Sequence, residues 1–182
     1  MLFRSINGNK LKHLKIFEAK EKFVDELKNS PINYSIVRPN GFFTDMKDFL
    51  QMAKSGRVYL FGSGTLKMNP IHGEDLAKVC AEMMEEKILE QTVGGMDIFS
   101  HNQLAELALK AWGKRVRINH LPDWTRRFII WILRTFTSPK THGPVEFFLT
   151  AMASNNIAKQ CGSRRLEDFF EDEVRKLKDE AA

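Results

Sequence analysis

The chain has 182 residues, 43% of them hydrophobic, which is enough for a sizeable core in one domain or one and a half. Its 28 lysines and arginines exceed its 23 aspartates and glutamates, but basic and acidic residues are interspersed, which argues against a nucleic-acid-binding protein. The most apolar run, residues 128–133, is too short to cross a bilayer, and the N-terminal sequence lacks the apolar segment of a secretory signal.

Two cysteines and five histidines are scattered along the chain and are not grouped. Cys80 and Cys161 lie far apart and lack the spacing of metal-ligand pairs, so we predict no metal site. We interpret both as buried, reduced thiols, which fits a cytoplasmic protein. His72, between an extended segment and a helix, is the most prominent histidine, and a structural polar role is the favoured interpretation.

The first half of the chain alternates between strand-like and helix-like patterns. Residues 2–3 resemble the end of a strand, and Asn9 is the predicted N-cap of a helix that ends near Lys28. A strand at 34–37 and a helix at 44–54 follow, the helix with apolar residues at helical spacing. The patterns then predict a strand at 57–61, a turn at 62–64, an extended piece at 67–72 and a helix from Gly73 with Glu74 and Asp75 in its first turn.

The second half is mostly helical. Residues 96–99 predict a strand, Ser100 and Gln103 form a capping box for a helix that stops at Gly113, and residues 115–119 alternate like a strand. Helices are predicted at 124–136, from Gly143 onward and at 163–178. The chain is therefore predicted to be an α/β protein with an α/β part at 1–93 and a helix-rich part at 94–182.

The stretch at 34–43 is the element around which the α/β part is organised. Pro39 removes a sheet hydrogen-bond donor and favours an extended Arg38, so the strand ends there. Asn40 and Gly41 then predict a turn. Because ligands in open α/β sheets bind beyond the carboxyl ends of the strands, we predict that residues 39–43 carry the functional site.

The segment at 124–136 is apolar nearly all round and also contains arginines. It includes Trp124, Trp131 and Phe136 together with Arg127 and Arg134, and two interpretations are open. It is either a helix buried in the core or a helix that lies on a membrane surface or binds a partner, since tryptophan and arginine suit the headgroup boundary.

Several short segments occur in an order that resembles a known family. The resemblance is to the second half of extended or atypical short-chain dehydrogenases/reductases, in particular the NmrA-like, NAD(P)-binding branch. Lys20 precedes Arg38 by 18 residues, close to the family interval between the active-site lysine and an Arg-Pro pair. The matching segments are Lys20, Arg38-Pro39-Asn40-Gly41-Phe42-Phe43, Gly62-Ser63-Gly64, Asn69-Pro70-Ile71-His72, Asp75-Leu76-Ala77 and the Leu-Pro-x-Trp element at 121–124.

The resemblance implies a partial Rossmann-like parallel sheet and an NAD or NADP cofactor. It implies hydride transfer between that cofactor and a small carbonyl substrate of unknown identity. Lys20 would be catalytic and would contact the nicotinamide ribose, and Ser5 matches the catalytic serine of the family. The remaining roles follow the loop: Pro39, Gly41 and Phe42 on the nicotinamide side, and Asn40 and Phe43 on the substrate side.

Two departures from the family pattern lead to a second hypothesis. The glycine-rich phosphate turn and the first strands are not in the sequence, and Gly62-Ser63-Gly64 with Lys67 does not complete the dinucleotide fingerprint. We therefore expect weak or no cofactor binding by this chain, and a second copy or a partner chain to cover an open sheet edge.

In addition, Ile16 stands where the family has its proton-transferring tyrosine, and His13 is at most a substitute one helical turn away. The alternative to an oxidoreductase is thus a non-catalytic scaffold or assembly protein of the same fold, which would use residues 124–136 on a membrane surface or on a partner.

Overall fold

The computed structural model describes residues 2–3 and 15–180; for residues 2–3, 15–21, 139–141, 144 and 147 it describes the backbone alone. The elements in chain order are β1 (Leu2–Phe3), α1 (Lys15–Lys28), β2 (Ile36–Pro39), a 3₁₀ turn (Phe43–Met46), α2 (Lys47–Lys54), β3 (Val58–Phe61), β4 (Lys67–Met68), α3 (Gly73–Glu85), β5 (Glu90–Val93), β6 (Phe99–Ser100), α4 (His101–Ala111), β7 (Ile118–Leu121), α5 (Asp123–Phe136), α6 (Pro139–Ala151) and α7 (Leu166–Asp179). The predicted α/β class is confirmed, since parallel strand pairs alternate with helices.

The chain divides into two compact units that interleave in sequence. Unit 1 comprises Met1–Asp45, Asn69–Ile98 and Asn156–Arg165, and unit 2 comprises Met46–Met68, Phe99–Asn155 and Leu166–Ala182. The sequence predicted a single boundary between residues 93 and 94 instead. Periodic patterns report local structure and carry no information about which remote segments pack together, so they could not show the interleaving.

Unit 1 is built on a parallel sheet with the strand order β1-β2-β5. The central strand β2 pairs Ile36 with Glu90 and Pro39 with Val93 of β5. Ile36 and Val37 are fully buried, as expected of a parallel strand that is covered on both faces. The apolar face of α3 packs on this sheet through a cluster that contains Val37, Ile71, Leu76, Val79, Cys80, Met83 and Val93.

Unit 2 contains a parallel pair, β3 with β7, and an antiparallel pair, β4 with β6. Helices α2, α4 and α7 pack on one another, and α5 packs on α6 and on β3. The predicted capping box at the start of α4 is confirmed: the backbone N–H of Gln103 donates to Ser100 Oγ (3.2 Å), and the backbone N–H of Ser100 donates to Gln103 Oε1 (2.8 Å). The core of this unit includes the buried side chains of Phe49, Leu50, Ala53, Leu104, Leu109, Leu166 and Phe170.

Several predicted boundaries were wrong for identifiable reasons. The strand predicted at 96–99 is reduced to the two residues of β6, Phe99–Ser100. The sequence also missed β5 at Glu90–Val93, because β5 is polar and is held in the sheet by pairing with β2. α6 starts at Pro139 and not at Gly143, since proline is well tolerated in the first helical turn. In α3, Met84 is exposed and Asp75 is buried, the reverse of what the apolar pattern indicates.

The predicted helix at 44–54 is also shorter than expected. It begins with the 3₁₀ turn, and α2 follows from Lys47 without a side-chain cap. A side-chain hydrogen bond stabilises the 3₁₀ turn instead: Asp45 Oδ2 accepts from the backbone N–H of Phe42 at 2.9 Å. Within the described part of the chain, no helix is long and apolar enough to span a bilayer.

Candidate functional site

The structure places most of the predicted site residues at one edge of unit 1. Pro39 is the last residue of β2, and residues 40–43 form the loop that follows it. Lys20 lies on α1, as does Ile16, while Ser5 and His13 fall outside the described residues. The loop is bound to the next segments of unit 1 by backbone bonds, such as the one from the Asn40 N–H to the Val93 carbonyl (3.0 Å).

Two buried asparagines join this loop to two other segments of unit 1. The Asn40 side-chain amide donates to Asn69 Oδ1 (2.6 Å) and to the Asn156 carbonyl. Asn69 in turn donates through Nδ2 to the carbonyls of Gly95 and Ala158, both at 3.0 Å, and its Oδ1 accepts from the Ala158 N–H at 2.9 Å. Asn69 is fully buried and Asn40 is 5% exposed, so these bonds are shielded from water.

The side chains of Asn40 and Phe43, the two predicted substrate-side residues, are buried and contact other residues of unit 1. The Phe43 side chain is 3% exposed and meets the His72 ring edge-on, with ring centroids 5.5 Å apart. Asn40 Nδ2 donates to Asn69 and Asn156, while its buried Oδ1 has no described hydrogen-bond partner. Both side chains therefore help to hold the loop in place, and their substrate-side role stays a prediction.

Gly41 and Phe42 are the half-buried part of the loop, and Phe42 packs against the cluster around Val37. Gly41 has φ = 111°, a region that other residues adopt only with strain, and its carbonyl accepts from the Ile71 N–H at 2.9 Å. The nicotinamide-side role of Pro39, Gly41 and Phe42 stays a prediction. Among the described residues, no glycine-rich turn opens a helix, and we assign no phosphate-binding group.

His72 has the structural role that the sequence favoured. It is the N-cap of α3, and its Nδ1 accepts from the Glu74 N–H at 3.2 Å. The run at 62–64 is a turn at the end of β3, also as predicted. Neither feature adds a reacting group to the loop of unit 1.

Asp75 is more than an acid at a helix start. It is 2% exposed, and its carboxylate accepts from the backbone N–H groups of Ser163 (3.1 Å) and Arg164 (3.0 Å) and from Arg164 Nη1 (2.7 Å). Burial opposes the ionisation of Asp75, but the hydrogen bonds from Arg164 and Ser163 outweigh it and lower the pKa of this carboxyl. The cluster ties the C-terminal segment of unit 1 to α3, so we assign it to stability.

Unit 2 contains a cavity of about 430 Å³, which is within the usual range of ligand sites. The sequence did not indicate it, because its walls come from segments that are distant along the chain. Most of the lining is aromatic or aliphatic, and includes Phe49, Met52, Tyr59, Phe61, Phe148 and Met152.

His101 is an exceptional polar group in that lining. It is 4% exposed, and no described group lies within hydrogen-bonding distance of its Nε2. A buried polar atom without a partner costs on the order of 1–3 kcal/mol. Burial lowers the pKa of His101, so its imidazole is held neutral.

The charged residues of the lining neutralise each other. Arg126 Nε donates to Asp123 Oδ1 at 2.8 Å and Nη2 donates to Asp123 Oδ2 at 3.1 Å. The hydrogen bond from Arg126 lowers the pKa of Asp123. The pair therefore presents no net charge to a molecule in the cavity.

Helix α5 has an exposed aromatic ridge and no buried residue. Trp124 is 64% exposed, Phe128 51% and Trp131 59%, and the Phe128 and Trp131 rings stack with centroids 5.8 Å apart. Of the two interpretations of residues 124–136, the buried helix is thus wrong for this chain as described.

No cluster of three or more potential ligands suited to a metal ion occurs among the described residues. Cys80 and Cys161 are free thiols, and burial raises the pKa of both. Neither thiol is activated for nucleophilic chemistry by its surroundings.

The sequence is similar to a set of plant reductases, while no protein-family model matches it. It is 31% identical to the chloroplastic divinyl chlorophyllide a 8-vinyl-reductase of Arabidopsis thaliana over 123 residues, which is 64% of this chain and 30% of that protein. To the enzyme of the same name from Oryza sativa subsp. indica it is 28% identical over 192 aligned residues, or 89% of this chain and 47% of that protein. The chain thus spans less than half the length of these curated relatives.

Solved structures of two nucleotide-sugar enzymes share the fold. A nucleoside-diphosphate-sugar epimerase from Staphylococcus aureus has a TM-score of 0.59 at 16% identity, over 81% of this chain and 55% of that one. A GDP-mannoheptose C4 reductase from Campylobacter jejuni, with NADP bound, has a TM-score of 0.53 at 12% identity, over 80% of this chain and 50% of that one. The predicted Rossmann-like α/β fold is thereby confirmed.

Proposed function

We propose that this chain is part of an NAD(P)-dependent reductase of the atypical short-chain dehydrogenase/reductase type. The observation that carries the proposal is the loop at 39–43, which sits at the carboxyl end of the central parallel strand β2, where such folds bind their ligands. The similarity to plant reductases supports the same reaction class. Membership of the NmrA-like branch stays a prediction.

The residues of this chain would bind and orient the cofactor. NAD(P)H, when bound, supplies a hydride to a carbon atom of the substrate. Gly41 and Phe42 would lie against the nicotinamide ring beside Pro39, and Lys20 would hydrogen-bond the ribose, as the family resemblance implies. Ile16 cannot transfer a proton, so we assign no proton donor in this chain.

The substrate class is wider than the sequence suggested. The resemblance implied a small carbonyl compound, whereas the plant relatives are named for the reduction of a vinyl group. We therefore propose a substrate with a reducible C=O or C=C bond. A substrate of this chain would be identified as a compound that causes the chain to oxidise NADPH, measured by the loss of NADPH absorbance.

Titration with NADPH and with NADH tests the cofactor proposal. In this proposal the described residues supply the nicotinamide side and no phosphate turn. We therefore expect weak binding, with a Kd of about 0.1–1 mM, measured by the fluorescence of the nucleotide. Lys20→Met should weaken binding at least about fivefold, because a charged hydrogen bond to the ribose is lost. Lys22→Met, on the same helix, is the matched control and should bind as the unmodified chain does. Equal affinities for all three chains would contradict the role of Lys20.

The exposed ridge of α5 favours a second candidate function, a scaffold or assembly protein at a membrane surface. Tryptophan and phenylalanine side chains insert at the boundary between headgroups and acyl chains, and arginine binds anionic headgroups. Arg127 lies on the exposed surface of the same helix, and the whole chain carries a net charge of +5. We therefore propose that anionic lipid surfaces bind α5.

Co-sedimentation with phosphatidylglycerol vesicles at low salt tests this candidate. We expect binding that falls about tenfold in the triple variant Trp124→Ala, Phe128→Ala, Trp131→Ala, because its apolar contact area is removed. Phe23→Ala, which removes an aromatic ring that is 52% exposed in unit 1, is the control and should bind normally. Failure of the unmodified chain to bind at low salt would eliminate the membrane version of the scaffold.

Three expectations about the surroundings of the protein stay predictions. They are a cytoplasmic location, no binding of nucleic acid, and association with a second copy or a partner chain. Size-exclusion chromatography with light scattering would measure the last of these.

A further inference from the structure

We infer that the cavity of unit 2 binds a flat, mostly apolar molecule that carries a neutral hydroxyl or carbonyl group, and that this group hydrogen-bonds to His101 Nε2. This inference goes beyond the proposed function, since it needs neither cofactor nor turnover. It assigns a binding site and a ligand class to a part of the chain that the loop at 39–43 does not involve.

The walls of the cavity favour an aromatic or polycyclic ligand. Phe49, Phe61 and Phe148 contribute aromatic side chains to the lining, and Met52 and Met152 add flexible, polarisable thioethers that adapt to flat molecules. The volume of about 430 Å³ admits a ligand of two or more fused rings. An aliphatic or highly polar molecule would gain less from such a lining.

His101 supplies the directional contact. It is the first residue of α4, and its backbone N–H is already satisfied by the Leu66 carbonyl at 3.0 Å. His101 lines the cavity, and its buried Nε2 has no described hydrogen-bond partner, so a ligand group that reaches this atom would satisfy it. A neutral imidazole nitrogen either donates or accepts, according to the tautomer, which matches both a carbonyl and a hydroxyl.

The charge of the site argues for a neutral ligand group. The N-terminal end of a helix disfavours an additional positive charge, so α4 opposes protonation of the ring when a ligand binds. Arg126, the cation of the lining, is engaged by both carboxylate oxygens of Asp123. An anionic ligand would have to break that pair before it gained a counter-charge.

A pair of probes that differ in a single hydroxyl tests the inference. Naphthalene and 2-naphthol share one ring system, and both are fluorescent, so the binding of each can be titrated directly to the full chain without cofactor. In His101→Phe, the affinity of 2-naphthol relative to naphthalene should fall about 3- to 10-fold, the usual contribution of one hydrogen bond. Naphthalene itself should bind with unchanged affinity, because the ring volume is preserved.

Two further variants complete the design. His142→Phe replaces a histidine of unit 2 outside the cavity lining and should leave the probe ratio unchanged. Ala153→Trp fills the cavity and should abolish the binding of both probes. If neither probe binds the unmodified chain, or if the ratio is the same in His101→Phe, the inference is overturned.

A measurement on the unmodified chain keeps the test decisive even if His101→Phe does not fold. In a ¹⁵N-histidine-labelled sample, 2-naphthol should shift the imidazole resonances of one buried histidine, and naphthalene should shift them less. Equal shifts from the two probes would contradict a hydrogen bond to Nε2. Since no nucleotide is present, failure here leaves the proposed reductase function untouched, and failure of the NADPH titration leaves this inference untouched.

Discussion

Replacement of Asn69 by leucine is expected to lower the free energy of unfolding by about 4 kcal/mol, because it leaves three buried backbone groups without a partner. These are the carbonyls of Gly95 and Ala158 and the N–H of Ala158, all bonded to the Asn69 side chain in the fully buried interior of unit 1. Leucine keeps the branched shape and is larger than asparagine, so no cavity forms and the loss comes chiefly from the missing hydrogen bonds. In a thermal melt the midpoint should fall by about 8–16 °C.

Asn33→Ala is the matched control for Asn69→Leu. It removes the same functional group from an exposed position of the same unit and should change the midpoint by less than about 2 °C. Asn69 should also matter for the loop, because its Oδ1 accepts from the Asn40 amide. A midpoint for Asn69→Leu within the error of the Asn33→Ala value would show that the asparagine network does not hold unit 1 together.

Asp75→Ala should produce the second largest loss, about 3 kcal/mol in the free energy of unfolding, since two backbone N–H groups and Arg164 lose their acceptor. Asp75→Asn keeps the shape and one accepting oxygen but removes the charge, so it should cost about 1 kcal/mol. Chemical denaturation of both variants measures the two values. A loss in Asp75→Ala no larger than in Asp75→Asn would show that the carboxylate is not the anchor of the segment.

The same carboxylate gives stability a defined dependence on pH. Its pKa is lower in the folded chain than in the unfolded chain, where it lies near its ordinary value of about 3.9. Its contribution is therefore fully present above that value and is lost as the pH falls through the folded pKa. In acid, the difference in stability between the unmodified chain and Asp75→Asn should shrink, and an undiminished difference at low pH would contradict this assignment.

The sequence predicted the local structure of unit 1 well where one strand and one loop carried the signal. Ile36 and Val37 are apolar and β-branched, and Pro39 ends the strand, so the sequence predicted β2 and its loop. The predicted bounds, 34–37, lie two residues before the observed ones, Ile36–Pro39. β5 could not, because Glu90, Gln91 and Thr92 are polar and are placed in the sheet by pairing with β2. The pairing depends on residues more than fifty positions away, which local patterns do not report.

The sequence predicted the loop that follows β2 but not the hydrogen-bond networks around it. Asp75 belongs to the motif that carried the family resemblance, yet its partners, Ser163 and Arg164, lie near the other end of the chain. Asn69 also belongs to a segment that matched the family. The sequence gave no sign that its side chain would be buried at the centre of a hydrogen-bond network. His101 follows a predicted N-cap and showed no pattern of its own, because a cavity is a property of packing.

Residues 124–136 show where sequence reasoning had to leave two outcomes open. A segment that is apolar on every side is compatible with burial and with an interface, and composition does not distinguish them. The structure exposes Trp124, Phe128 and Trp131, which supports the interface.

The central claim is that the loop at 39–43 faces the nicotinamide of a bound dinucleotide, and saturation-transfer NMR with NADPH tests it most directly. Saturation of the protein should transfer to the nicotinamide protons more strongly than to the adenine protons, because the proposal places the described residues of unit 1 on the nicotinamide side. Phe42→Ala should reduce the transfer to nicotinamide specifically, since it removes the half-buried ring of the loop. No transfer at NADPH concentrations of about 5 mM, or transfer to adenine alone, would contradict the account and turn attention to the cavity of unit 2 and to α5.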